Sequence, residues 1–221
     1  VNINQLSYKH EKNGSYFFKN LKLALEANKL HALHGKNGAG KSILLNLLDG
    51  KKTPQSVVEG QIESFGKTRL VNQRFDQLIV DKFTFNQNLQ FACMKSYPSM
   101  LSRLKAPLVH FDFIQNLHID QTVPVSQLSG GQRQILALLM VLQKPIQILL
   151  LDEPTATLDE DNAKLVFDFL KLLTRQGVTI LVVCHDKELV SGYVTGTHFC
   201  IEKEEGGLRI IRLMTLGVVS K

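Results

Sequence analysis

"HALHGKNGAGKSILL", residues 31–45, is the stretch whose reading decides the fold. From Gly35 to Ser42 it fits the pattern G-x-x-x-x-G-K-[ST], with an apolar strand-like run before it and helical spacing after it. Gly35, Gly38 and Gly40 let the backbone curl, so that the N–H groups of the loop, through Lys36, Asn37 and Ala39, can point inward around a phosphate chain. A helix opening near Lys41 would add the positive end of its dipole. In this reading Lys41 holds the outer phosphates, Ser42 ligates Mg²⁺ through its hydroxyl, and Ile43 begins the helix. The strand-loop-helix context is what lifts the motif above a chance glycine turn.

Such a loop needs a carboxylate at the end of a neighbouring strand, and "IQILLLDEP" (146–154) supplies one. Asp152 is placed to bind Mg²⁺ through water, and Glu153 to polarise a water aimed at the terminal phosphate. A third feature is unexpected: "QLSGGQRQILALL" (127–139) is a second glycine-rich helix start, with Ser129, Gly130, Gly131 and Gln132 at its N-terminus.

Working outward, residues 1–34 read as strands, with Leu21, Leu23 and Leu25 on one face in period two. "ILLNLLDG" has helical spacing and stops at Gly50, a C′ glycine. Short strands follow at "VVEGQIESFG" and "TRLVNQ"; residues 74–127 then change to longer amphipathic segments broken at "YPS" and "KAP", an expected helical lobe. A helix at 130–143, strand "IQILLL", a helix at 160–175, strand "VTILVVC", a short helix after "HD", and a last strand pair complete the chain. Apolar strands alternating with helices indicate an α/β protein with a mostly parallel, buried sheet.

Composition narrows the class. With 44% hydrophobic and 21% charged residues, the 221-residue chain can fill a sizeable core. No apolar run is long enough to span a membrane, and the first residues show no secretory pattern. Cys93, Cys184 and Cys200 match no zinc spacing and are expected as reduced thiols. The net charge of +6 comes from residues 1–73, with eleven basic and five acidic side chains, whereas residues 128–199 carry six and eight. That scattered excess, without interleaved aromatics, argues against nucleic acid as partner.

Together "GKNGAGKS", "LSGGQ" and "LDEP" resemble the ATP-binding cassette (ABC) transporter ATPases, and the resemblance covers nearly the whole chain. "TATLD" (155–159) is similar to the family's D-loop, ending in Asp159; "VVCHD" carries His185 at the switch-histidine position. "LVNQRFDQLIVDKFTFNQNL" (70–89) resembles the Q-loop region, making Gln73 a sensor of Mg²⁺ and attacking water. The resemblance implies one ABC ATPase domain over 1–221. Its P-loop NTPase core, with an N-terminal antiparallel β subdomain, would be formed by 1–73 and 128–221. An inserted α-helical subdomain would occupy 74–127. It also implies catalytic roles for Glu153, His185, Gln73 and Asp159, with Ser42, Gln73 and Asp152 on the metal.

The family also explains the second glycine-rich start. Two such subunits pack head to tail, and Ser129, Gly131 and the helix dipole of one would reach the γ phosphate held by the other. ATP then joins a dimer that opens on hydrolysis. An integral membrane permease, and for an importer a solute-binding protein, are the further implied partners, with the ATPase at the inner face of the membrane. An importer subunit is the leading expectation. The alternative is a non-transport ABC ATPase acting on nucleic acid or ribosomes, whose relatives usually carry extra modules. No regulatory domain is expected after the last strand.

Departures are few. Ile43 stands where threonine is common, and Ile135 and Met140 where the family usually has arginines, so the helix at 130–143 is unusually apolar. The aromatic that stacks on adenine is open between His10 and Tyr8, with Tyr16 nearby. Phe75, Phe83 and Phe85 are candidates to line a groove for the permease.

Overall fold

The computed structural model describes residues 1–72, 78–94, 119–204 and 206–214. The chain divides into two compact units, one of Val1–Gln73, Ile146–Ala156 and Leu170–Lys221, the other of Arg74–Pro145 and Thr157–Phe169.

Among the described residues the first unit is built on a nine-stranded sheet. In chain order the strands are β1 (Asn2–Lys9), β2 (Phe18–Ala24), β3 (Leu30–Gly35), β4 (Val57–Glu63), β5 (Thr68–Val71), β6 (Ile148–Asp152), β7 (Thr179–Val183), β8 (His198–Lys203) and β9 (Arg209–Leu213). Their order across the sheet is β4-β1-β2-β9-β8-β3-β7-β6-β5. The block β8-β3-β7-β6-β5 is parallel throughout. Its central members β3, β6 and β7 are buried at nearly every position, the signature of strands covered on both faces.

β1 pairs antiparallel with β2 and with β4. On β2 the alternation predicted from sequence holds, since Leu21 and Leu23, and Leu25 just beyond, are all buried. A register shift in β1 is built around Gln5, at φ 53°, opposite Gly60, at φ 93°. A Cβ on Gly60 would lie 2.4 Å from the Gln5 carbonyl oxygen, so this bulge requires glycine. The antiparallel part is not a detached sheet: β9 folds back antiparallel on β8 and meets β2 at Phe18–Arg209, closing the gap between the two blocks.

Helix α1 (Lys41–Leu48) leaves the loop after β3, burying Leu44, Leu45, Leu47 and Leu48. Gly50, at φ 74°, ends it as predicted. The Gly50 N–H donates to Leu47 O (3.1 Å) and the Lys51 N–H to Asn46 O (2.9 Å), the paired bonds of a Schellman motif.

The second unit holds α2 (Phe85–Ala92) and α3 (Gly130–Leu142), which pack on each other. It also holds the first part of α4 (Glu160–Arg175); a short α5 (Lys187–Ser191) belongs to the first unit. Thr84 and Gln87 cap α2 reciprocally, the residue types of "TFNQ" serving as a capping box. Buried Asn88 pins the approach by bonding both the N–H and the carbonyl of Val80. The unit is larger than the 74–127 lobe expected from sequence: it takes in α3 and the start of α4. Phe85 is fully buried, so it is core rather than groove; Phe83 remains 38% exposed. Phe75 lies outside the described residues. In α3, Ile135 through Leu139 are fully buried and Met140 nearly so, which accounts for the missing arginines, as a guanidinium there would lack solvent or a partner.

Candidate functional site

The phosphate loop occupies the turn between β3 and α1. Gly38 (φ 75°) and Gly40 (φ 105°) carry the left-handed backbone that the motif demands. A Cβ on Gly40 would sit 2.5 Å from the Phe17 ring, so the loop rests on an aromatic floor. The N-cap Gly40 has no side chain to offer and none among the described residues caps α1, which leaves its first N–H groups to an anion. Lys41 Nζ curls into the loop, donating to Gly35 O (2.8 Å) and Lys36 O (3.3 Å).

Two polar pairs line up beside the loop. Ser42 Oγ donates to Asp152 Oδ2 at 2.7 Å, joining residues 110 positions apart. The two oxygens lie side by side and are hard donors of the kind Mg²⁺ selects, so the residues fit that ion. One residue on, Glu153 adopts φ 53°, a strained conformation for a non-glycine residue. Its N–H bonds Val183 O (3.1 Å), and its Oε1 meets His185 Nε2 at 2.6 Å. The strain therefore aims the carboxylate across the end of β7 at the histidine.

A cleft of about 730 Å³ runs along this edge, lined by residues that include Lys36, Asn37, Gly38, Ala39 and His185. Beneath it His34 Nε2 lies 3.1 Å from His198 Nδ1, the rings stacked 5.4 Å apart. Burial, then the neighbouring His198, pushes the His34 pKa down to about 4. Burial likewise raises the thiols of Cys184 and Cys200, all three described cysteines being free.

His10 and Tyr8 separate clearly. Tyr8 is only 4% exposed and packs edge-on against Phe17, so its ring faces are taken and it is corrected to a core residue. His10 is exposed, 4.9 Å from Phe17, the ring that underlies Gly40. Tyr16 is turned to Glu59, with Lys9 over its face. Gln73 lies outside the described residues.

In the second unit Ser129 caps α3 and Gln132 answers it, so "SGGQ" is a capping box. The Ser129 hydroxyl donates to Asn162 Oδ1 (2.8 Å) and so does the Gly131 N–H (3.1 Å). Asn162 is in turn held by Asp159, which accepts from its N–H (2.9 Å) and its Nδ2 (2.8 Å). These bonds hold the Asp159 pKa below the usual carboxylate range.

A family profile described as ABC transporter matches residues 18–156, which run from β2 through the phosphate loop and "LSGGQ" to "LDEP". The chain belongs to the ABC transporter family. Its ATP-binding cassette is 30% identical over 205 residues to a protein of Enterococcus faecalis named as an ABC transporter ATP-binding protein, covering 88% of this chain and 36% of that one. It is 30% identical over 179 residues to the arabinose import ATP-binding protein AraG 2 of Burkholderia ambifaria (76% and 34% covered). Over 187 residues it is 30% identical to the nucleoside import ATP-binding protein NupA of Lactococcus lactis (76% and 36%). The cassette thus spans about a third of the length of these relatives. Its fold is that of CbiO1 from Clostridium perfringens, part of the ABC transporter complex CbiONQ (TM-score 0.69, 21% identity, 96% of this chain and 86% of that one). RNase-L Inhibitor shares the fold too (TM-score 0.64, 23% identity, 98% and 40%).

Two features of this cassette carry no signal in the sequence. Asn162 carries no motif; only its place three residues after Asp159 could have marked it as a capping partner. The His34–His198 pair joins two strands 164 positions apart, and only knowing that β3 and β8 are neighbours brings it to view.

Proposed function

We propose that this cassette binds and hydrolyses ATP with Mg²⁺, as one of two head-to-tail copies, and drives a separate integral membrane permease. The observation that carries the reading is the convergence of Ser42–Asp152 and Glu153–His185 beside an uncapped helix start and a left-handed glycine loop. Mg²⁺, when bound, neutralises developing phosphate charge. Ser42 and Asp152 hold its place, and Gln73 is proposed as the third metal-side residue. Lys41 leaves the loop carbonyls for phosphate oxygens, an exchange that strengthens a charge-assisted bond. Glu153 accepts the proton of a water, and His185 fixes the direction of that carboxylate.

The signature residues Ser129, Gly130, Gly131 and Gln132 are assigned to the second copy's nucleotide, with Asp159 between them. His10 is assigned to the adenine face. The import names of AraG 2 and NupA favour an importer, in which a solute-binding protein selects the cargo. Among the described residues no helix is long and apolar enough to cross a membrane. Attachment to the inner face is proposed to run through the permease.

The test is phosphate release by the purified chain with Mg²⁺ or with chelator, for wild type and Glu153→Gln. Mg²⁺-dependent turnover in the wild type, and an ATP-loaded dimer without turnover in the variant, are expected. Full turnover by Glu153→Gln would remove that residue from its role, and failure of ATP to pair the variant would sink the dimer.

A further inference from the structure

The donors that face a nucleotide in the proposed dimer are already engaged within the single chain. Ser129 Oγ and the Gly131 N–H both point at one atom, Asn162 Oδ1, at 2.8 and 3.1 Å. A carboxamide oxygen bearing partial negative charge, reached by a hydroxyl and a first-turn N–H at a helix start, has the chemistry of a phosphate oxygen. The amide orientation follows from the network: Gly131 N–H needs an acceptor, and the Asp159 carboxylate needs a donor, so oxygen faces α3 and Nδ2 faces Asp159. Packing is close as well, since a Cβ on Gly131 would fall 2.9 Å from the Asn162 carbonyl oxygen.

We infer that Asn162 is an internal placeholder for the terminal phosphate at the signature helix, held in position by Asp159 and displaced when ATP joins two copies. This rests on the dimer reading above. In the separated chain, Ser129 and Gly131 are satisfied and the helix start is kept in shape. On pairing, both bonds to Asn162 must be exchanged for bonds to phosphate, and the amide must turn away. Asp159 lies at the other end of the same amide, so movement of the D-loop and release of the signature are one event. Asn162 acts through Ser129, Gly131 and Asp159 rather than on the reacting atoms, which makes it a positioning residue with an inhibitory sense.

That sense gives the test its sign. In the full chain carrying Glu153→Gln, the ATP concentration for half-maximal dimer is read by sizing chromatography, alone and with Asn162→Ala or Asn162→Asp. Removing the carboxamide leaves the donors unengaged, and the threshold should fall about tenfold, the scale of one to two modest hydrogen bonds. Asn162→Asp keeps an oxygen acceptor for Ser129 and Gly131 and adds a negative charge that repels phosphate, at the cost of the Nδ2 donor to Asp159, and the threshold should rise by at least as much. A purely structural role for Asn162 predicts that alanine raises the threshold. A threshold unchanged or raised in Asn162→Ala, while the Glu153→Gln parent pairs with ATP, overturns the placeholder alone. A parent that never pairs overturns the dimer reading and the placeholder with it. Opposite shifts for alanine and aspartate, with equal binding of a fluorescent ATP analogue to the single chain, support the inference.

Discussion

Replacing His34 by leucine should remove an acid-sensitive element lying directly behind the phosphate loop. In the folded chain the His34 pKa is held near 4 by burial, by the stacked His198 and by Lys187, against an ordinary 6.5 in the unfolded chain. Between those values the unfolded state takes up a proton that the folded state refuses, so stability rises with pH across the window. The contribution is fully present above pH 6.5, shrinks as pH falls, and is gone below 4. At pH 5 the two equilibria differ by roughly 2 kcal/mol, with a ceiling of about 3 kcal/mol at lower pH. The assay is urea denaturation followed by far-UV circular dichroism at pH 7.5 and 5.0, without nucleotide. Wild type should lose about 2 kcal/mol more than His34→Leu over this drop, even though the variant starts lower for want of the His34–His198 bond. His31 remains in both proteins and its contribution cancels, whereas His198 loses its partner in the variant, so the difference reports the His34–His198 pair. Parallel losses in the two proteins would refute the reasoning.

His185→Ala should cut ATP turnover by about 10²-fold or more with little change in nucleotide affinity, because Glu153 loses the partner 2.6 Å away that aims it; steady-state phosphate release together with equilibrium binding checks both halves. His10→Ala should weaken ATP by roughly 1–3 kcal/mol, whereas Tyr8→Leu, which removes the ring, leaves affinity nearly unchanged; titration calorimetry would reverse the platform assignment if the two effects were exchanged. Gly131→Ala should destabilise the chain by about 1–3 kcal/mol, since its Cβ would press on the Asn162 backbone, and a thermal melt equal to wild type would contradict that crowding. Ser129→Arg should leave the single chain binding ATP while blocking ATP-driven pairing, read on a sizing column; loss of single-chain binding would refute the assignment across the dimer.

Much of the fold was legible because local chemistry demanded it. The loop at 35–42 needs left-handed backbone at Gly38 and Gly40, Gly50 ends α1 in a Schellman motif, and Leu21, Leu23 and Leu25 keep period two. Each is decided by a few neighbouring residues, so pattern and structure agree. The strand endings at Asp152 and His185 were legible for a similar reason, as polar residues closing apolar runs. Where a choice depended on non-local packing, the pattern was silent. Tyr8 and His10 are equally aromatic in sequence; burial against Phe17 removes the first and leaves the second exposed. Phe85 and Phe83 share a similar context, and only one is core.

The sequence by itself determined which residues can curl around phosphate, which can hold a hard cation, and where helices begin, because these are properties of backbone freedom and side-chain chemistry. Tertiary structure decided the rest, because a distance between residues far apart in the chain depends on strand order. It brought Ser42 to Asp152 across 110 positions and closed the sheet through β9. It set Glu153 in a left-handed conformation against His185. And it placed Asn162 on the donors of "LSGGQ", a contact made by the packing of two helix starts and written in neither.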